Sequence, residues 1–399
     1  MTQRIMTFNI GSSSVKFAVY SADSNGDPKR HLSGQASALD GNPKLEATDE
    51  HGRELVRTVL ELEPDQQSHV TALQQVIAWI EEHFIELKEI AVVAHRVVHD
   101  GGQFDGPVRV DEEVLAKLER LIPFVPEHQP HNLKGIRIIA EQHPEVTQVA
   151  SFDTTFHRNM PWVEQTFALP KDFFDRGLRR FGFHGLSYDY ITHELPHHLD
   201  RAHQAKIVIA HLGHGASLCA VDAGRSIATT MGLTALDGMP MAQRCGRIDP
   251  GLVPYLVAEE GRDIEEVLDL LYKSSGLLGV SGISGDMRHL LESREPLAAQ
   301  AIDLFVHAAR KEICALAGCL EGLDALVFTG GVGENSGEVR DRICQGLSWL
   351  GVSIDPTANR AGQTDISAAT SQTRVFALPT NEEFILARDA LHALDQRQP

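Results

Sequence analysis

Apolar residues recur along this chain with two periods, and the alternation of those periods predicts an α/β protein. Between positions 68 and 84, Val70, Leu73, Val76, Ile77 and Ile80 share one side of a helix. Positions 90–98 read as a buried strand, and 111–121 as an amphipathic helix with acids at its start, where the helix dipole favours them. Positions 147–152 and 206–212 are strand-like, and 297–320 carry a long helical pattern leading into a strand at 325–329. Near the end, Thr380 or Asn381 suits an N-cap, Glu382 and Glu383 fill the first turn, and a helix runs to Leu394.

Over this pattern lies an internal repeat. Positions 8–20, FNIGSSSVKFAVY, can be laid on positions 210–222, AHLGHGASLCAVD, without a gap. Each copy is an apolar strand, a small-residue turn beginning at Gly11 or Gly213, and a second apolar strand. Two such hairpins half a chain apart predict a duplicated fold. A third glycine-rich turn, from Gly330 to Ser336, also follows an apolar strand. Glycine lets backbone N–H groups approach a phosphate closely, so three such turns favour a nucleotide phosphate site. No Gly-Lys pair occurs, which excludes a Walker-A loop, and the first strand turn lacks the dinucleotide fingerprint.

At 399 residues the chain predicts two domains, with a boundary after Phe152 and Asp153. Its net charge of −19 leaves no electrostatic footprint for nucleic acid and opposes an anionic membrane. Five cysteines without a C-x-x-C pair suit free thiols in a reducing compartment. The first residues do not read as a secretory signal, and no apolar run is long enough to span a bilayer. The expectation is a soluble cytoplasmic protein.

Charge at strand ends or in loops singles out His95-Arg96, Asp153, His184 and Arg244. A lone arginine usually makes a surface ion pair, but Arg96 sits in AVVAHRVVH, too apolar to be solvated on both faces. Buried there, it requires an anionic partner, from the protein or from a ligand. Asp153 ends a strand-like run, the position α/β proteins use for ligands. His184 lies between glycines and aromatics and reads equally well as a core residue or a site residue. His193-Glu-Leu-Pro-His197 matches the zinc-protease pattern only formally, because Pro196 breaks the helix that pattern needs.

Together the motifs NIGSSSVK (9–16), HRVVH (95–99), SFDTTFH (151–157) and RFGFHG (180–185) resemble the acetate kinase family. HLGHGAS (211–217), SGLLGVSGISGDM (275–287), FTGGVGENS (328–336) and PTNEE (379–383) continue the resemblance in family order, covering essentially the whole chain. It implies the superfamily of acetate and sugar kinases, heat-shock ATPases and actin: an α/β chain of two duplicated actin-like, ribonuclease H-like domains around an ATP cleft. The N-terminal domain would take residues 1–153 with 387–399, and the nucleotide-binding domain residues 154–386.

The implied activity is reversible phosphoryl transfer between ATP and acetate, giving acetyl phosphate and ADP. Such transfer depends on positioning and charge neutralisation rather than a strong base. The resemblance makes Arg96, Asp153, His184 and Arg244 catalytic. The two arginines would flank carboxylate and γ-phosphoryl, and His184 would bond the phosphoryl oxygens. Arg96, Val98, His128, Phe183 and Ala235 would contact the substrate. Asn9, Ser12, Ser14 and Lys16 would line one phosphate loop, and His211, Gly213, His214, Gly215 and Ser217 the other. Gly330, Gly331, Gly333, Glu334 and Asn335 would hold the adenosine side, and Asp286 and Arg288 would also bind ATP. Asn9, Asp153 and Glu382 would position Mg2+, or Mn2+ in its place, directly or through water. The resemblance also implies a homodimer.

Several positions depart from the family pattern. His214 replaces a common asparagine, Ala242-Gln243 precede Arg244 where Gly-Thr is usual, and Glu127 and Ala235 replace an apolar residue and a proline of the pocket. Glu127 is expected to turn outward or pair with His128, His131 or an arginine. Ala235 is expected to leave apolar volume that brings propionate close to acetate. A propionate or other short-chain carboxylate kinase is therefore the near alternative. A sugar kinase, with Asp153 as base, is the more distant one, and a non-catalytic scaffold is disfavoured by Arg96, Asp153, Arg244 and Glu382 all being present.

Overall fold

The computed structural model describes residues 2–11, 14–22, 26–39, 43–61, 68–126 and 128–395, with the side chain of Ser68 left aside. Ser12 and Glu127 therefore lie outside the described residues, and the expectations placed on them are not addressed by it. The chain divides into two compact units, residues 1–155 with 381–399 and residues 156–380, beside the sequence division at 153/154 and 386/387.

In the first unit, β1 (Gln3–Ile10), β2 (Ser14–Ala22), β3 (Lys29–Ser37), β4 (Lys44–Asp49) and β5 (Glu54–Val59) form an antiparallel meander. β6 (Val92–Val97) joins β1 in parallel, β7 (Val108–Arg109) is a short edge, and β8 (Gln148–Phe152) joins β6 in parallel. The sheet order is β5-β4-β3-β2-β1-β6-β8-β7. Side chains alternate across a strand, so each strand contributes to two faces. Met6, Phe8 and Ile10 of β1 and Val93 of β6 enter one core with Val76 and Ile80 of the helix Ser68–His83. Val97, Ala150 and Phe152 continue that face against the helices Glu112–Glu119 and Gln129–Gln142. Against the sheet also packs the C-terminal helix Glu382–Asp395, which contacts β1, β6 and β8. By strand parity Asn9, Arg96 and Asp153 belong to the face opposite Phe8, Val97 and Phe152.

The second unit has the sheet order β11-β10-β9-β12-β13, from β9 (Lys206–Leu212), β10 (Ala216–Asp222), β11 (Arg225–Thr229), β12 (Ala325–Thr329) and β13 (Arg374–Ala377). The predicted strands at 206–212 and 325–329 form as read. The predicted helix at 297–320 begins one residue earlier, with Pro296 at its first turn, where a missing N–H costs nothing. It packs across β9, β10 and β11.

The duplication is visible in the pairing. In each unit an antiparallel hairpin is extended, from its first strand, by two further parallel strands. The gapless overlay fails in one respect. Ile10 pairs with Val15, whereas Leu212 pairs with Ala216, so the second hairpin turns in one residue fewer. Its closing bond, Gly213 N–H to the Gly215 carbonyl, replaces the wider Gly11 to Ser14 closure. Ser217 thus occupies the pairing position of Lys16, which the overlay had matched to Leu218, and a slip of one residue reverses the face of every side chain. Among the described residues no helix is long and apolar enough to cross a membrane, and all five cysteines are free thiols.

Candidate active site

Three parallel strands of the first unit deliver polar side chains to one place. Asn9 is the penultimate residue of β1, Arg96 of β6, and Asp153 follows β8 directly. Glu382 opens the C-terminal helix, whose first turn favours an acid, and Asn381 accepts from the Phe384 N–H as its cap. Arg96 donates to both Asp153 oxygens, Nε to Oδ1 at 2.8 Å and Nη2 to Oδ2 at 2.6 Å. Its Nη1 reaches Asn9 Oδ1 at 3.2 Å and Glu382 Oε2 at 3.3 Å. Asn9 Nδ2 in turn donates to Glu382 at 2.8 Å and to Glu383 at 3.3 Å. Burial pulls the Arg96 guanidinium toward neutrality, but Asp153, Glu382 and Glu383 outweigh it and hold it more firmly charged than an ordinary arginine. The anionic partner required from sequence is supplied by the protein itself.

Two buried amides that sequence reading missed shape the neighbouring backbone. Asn132 accepts from the Val98 N–H and donates to the Ile10 carbonyl, while Gln129 exchanges bonds with both backbone groups of His99. They fasten the ends of β1 and β6. The available signal was amide residues on the apolar face of the helix Gln129–Gln142. His128 holds the N-cap position of that helix, and Val98 is buried two residues beyond Arg96. His95 faces the core, where it bonds Gln148, and burial lowers its pKa to about 4. Lys16 is exposed on β2, paired across from Asn9, and Ser14 begins that strand.

In the second unit His184 stands just before the helix Gly185–Glu194, in a left-handed backbone conformation. Such a conformation in a non-glycine residue costs energy and must be held by its surroundings. His157 helps to hold it, donating from Nε2 to the carbonyl of Phe183 while Nδ1 meets Ser226. His184 Nδ1 lies 2.8 Å from Ser217 Oγ, and its ring stacks on His211 at 4.3 Å. Its Nε2 overlies the glycine turn, since a Cβ on Gly215 would come within 3.1 Å of it. Gly213, Gly215, Ser217, His211 and His184 are thereby gathered in one place.

Gly330 follows β12 directly, beside that turn, with φ of +76°, and a Cβ there would strike the Leu212 carbonyl, so only glycine fits. A cavity of about 730 Å³ opens alongside, a size suited to a nucleotide. It brings together Gly213, His214, Asp286, Arg288, Gly331 and Asn335 in its lining. Gln243, Leu277, Met287, Leu291, Phe305 and Val332 also line it, drawn from a loop and from four helices scattered along the chain. Gly333 and Glu334 do not line it. Glu334 instead accepts from the Gly330 and Thr380 N–H groups, and Gly333 packs near Phe328. Arg340, fully buried and unanticipated, donates to the carbonyls of Gly333 and Glu334 and to both oxygens of Asn359.

Arg288 holds the Asp286 carboxyl below the usual range through paired hydrogen bonds. Burial first, then Arg244, lowers the pKa of His214, with Asp286 opposing. Arg244 donates to the Ala235 carbonyl at 3.2 Å, and Phe183 and Ala235 are buried. Of the residues expected to meet substrate, Val98 and His128 thus belong to the first unit, and Phe183 and Ala235 to the second.

Among the described residues no group of three or more His, Cys, Asp or Glu forms a protein-only metal cage. Asp153, Glu382 and Asn9 instead bring together two carboxylates and an amide oxygen, hard donors of the kind Mg2+ takes. That ion keeps several waters and shares phosphate oxygens.

Comparison with known proteins places these features in context. The acetokinase family profile matches residues 4–388. An acetate kinase of Rhodopseudomonas palustris is 47% identical over 403 residues, covering 99% of each chain. A solved propionate kinase from Francisella tularensis superposes with a TM-score of 0.87 at 34% identity, covering 98% of this chain and 99% of that one. A Porphyromonas gingivalis acetate kinase structure superposes at 0.83 with 32% identity, covering 98% of this chain and all of the other.

Proposed function

Because the chain belongs to the acetokinase family, we propose that it transfers a phosphoryl group reversibly between ATP and acetate. A carboxylate oxygen of acetate attacks the γ-phosphorus, forming the acyl phosphate bond as the bond to the bridging oxygen of ADP breaks. No proton needs to move, because both nucleophile and leaving group are anions. The protein must therefore supply positive charge and hydrogen bonds to the phosphoryl group as it passes.

Arg96, already desolvated and fixed by Asp153, is preorganised for that task, and Arg244 shares it. His184 donates to the phosphoryl oxygens above the Gly213–Gly215 turn. The 730 Å³ cavity receives the nucleoside. Asn9, Asp153 and Glu382 would hold Mg2+, or Mn2+ in its place, and the ion would neutralise phosphate charge when bound. The observation that carries this reading is the Arg96 cluster, in which one guanidinium ties together Asn9, Asp153 and Glu382.

Propionate is the near alternative, supported by the buried Ala235, whose small side chain suits a slightly longer tail. A hydroxyl acceptor is disfavoured because both Asp153 oxygens already accept from Arg96, a poor setting for a general base. A second copy of the chain is the proposed partner, supported by the exposed Leu252, Tyr255, Val257, Ile264 and Leu268. Cytoplasmic residence is supported by the free thiols.

The test is ADP formation with a panel of carboxylates, glucose, glycerol and no acceptor. Acetate and propionate are expected within about tenfold in kcat/KM, since one methylene discriminates weakly, with butyrate poorer. Faster turnover with a sugar would overturn the reading.

A further inference from the structure

We infer that Tyr188, acting through Ser217, fixes His184 as the neutral tautomer that carries its proton on Nε2. Tyr188 is fully buried on the helix Gly185–Glu194, and its hydroxyl lies 2.5 Å from Ser217 Oγ. Among the described residues Ser217 is the hydrogen-bond partner of that hydroxyl. Burying an O–H without an acceptor is costly, so Tyr188 must donate and Ser217 must accept.

The proton of Ser217 then has one direction left. It points to its other neighbour, His184 Nδ1, at 2.8 Å. An Nδ1 that accepts leaves the imidazole proton on Nε2, the nitrogen that overlies Gly215. The reverse chain, with His184 donating to Ser217 and Ser217 to Tyr188, strands the buried phenol proton. It would also turn an Nε2 lone pair toward the glycine turn, where phosphate oxygens would be repelled. Burial raises the Tyr188 pKa well above that of free tyrosine, so it stays a donor across the working pH range. Stacking on His211, itself bonded to Ser187, keeps the His184 ring in its plane.

Tyr188 and Ser217 are thus positioning residues, and His184 is the group that would touch the phosphoryl oxygens. The catalytic consequence rests on the proposed kinase reading, but the tautomer itself does not. Protein labelled with ¹⁵N-histidine is examined by NMR, with the His184→Gln spectrum identifying the His184 signals. The wild type is expected to show the Nε2–H pattern, with Nδ1 in the unprotonated range. In Tyr188→Phe the phenol is lost, Ser217 can turn either way, and a mixture with Nδ1–H is expected. One buried hydrogen bond biases such a choice by only a modest factor. The accompanying loss in kcat is therefore about threefold to tenfold, with KM for ATP and acetate unchanged.

An Nδ1–H pattern in the wild type, or a Tyr188→Phe protein whose tautomer does not move, overturns the inference. Should Tyr188→Phe fail to fold, the wild-type pattern still decides the tautomer. Ser217→Ala then replaces it, with the same mixture expected and an unmoved tautomer again overturning the inference. A wild type that lacks phosphotransfer would refute the kinase reading and leave the NMR outcome standing.

Discussion

Arg96 clasps Asp153 through two parallel hydrogen bonds, with Asp153 almost wholly removed from solvent at 1% exposure. A guanidinium and a carboxylate match in this fork geometry, which adds direction to the charge attraction. The arginine proposed to steady a transferring phosphoryl group therefore already has an anion, and its position does not depend on substrate. The same pair lies within reach of Asn9 and Glu382, so the proposed metal donors and the proposed catalytic cation form one network.

If Arg96 served only as a cation for the phosphoryl group, Arg96→Ala would lose far more turnover than stability. The buried pair changes that expectation. Removing one member leaves Asp153 uncompensated, and the cost is about 3–5 kcal/mol. Turnover is expected to fall roughly 10²–10³-fold as well. Urea denaturation and kcat measured on the same preparation check both. Unchanged stability would show that the pair is relieved by water or rearrangement, and normal turnover would remove Arg96 from the chemistry.

Glu382→Gln keeps the shape and most hydrogen bonds of the helix start but removes one charge of the proposed Mg2+ set. The expected result is a higher Mg2+ requirement and weaker Mn2+ binding by electron paramagnetic resonance. Were Glu382 only a helix-dipole residue, stability would fall by about 0.3–1 kcal/mol and both metal titrations would stay put.

His157 gives a pH signature. Burial lowers its pKa to about 4, against the ordinary 6.5, so the folded protein holds it neutral. The unfolded chain binds its proton at a higher pH than the native chain does. Its contribution is therefore complete above pH 6.5 and is lost as pH falls from there toward 4. His95 has the same sign and window. Each accounts for up to about 3 kcal/mol over that range. His157→Gln, which can still donate to the Phe183 carbonyl, is expected to flatten the decline seen in chemical denaturation between pH 7 and 4. An equally steep decline would place the titration elsewhere.

Arg340 tests the support of the third glycine turn. Its guanidinium is buried among neutral oxygens, and burial lowers its pKa. Arg340→Ala would leave the Gly333 and Glu334 carbonyls unmatched, at a cost of about 2–5 kcal/mol. ADP affinity by calorimetry is expected to weaken with it, because Gly331 and Asn335 line the cavity proposed for the nucleotide. Intact ADP affinity in a destabilised protein would confine Arg340 to a structural role.

Much of this molecule is legible in its residues taken in order. Alternation and helical spacing mark the strands and helices, because burial of one face is a local demand on sequence. The hairpin repeat and the glycine turns are legible for the same reason, and so is the need of Arg96 for an anion. What the sequence by itself determined was thus which segments are buried, which turns are glycine-rich, and which charges demand partners. The tertiary structure alone decided who the partners are. Asp153, Glu382 and Asn9 reach Arg96 because parallel pairing aligns the ends of β1, β6 and β8, and because the last helix returns to that sheet. It also set the hairpin register one residue away from the gapless overlay, placing Ser217 between His184 and Tyr188. Such contacts join residues tens to hundreds of positions apart, and hydrogen bonds of a few ångströms leave no periodic trace along the chain.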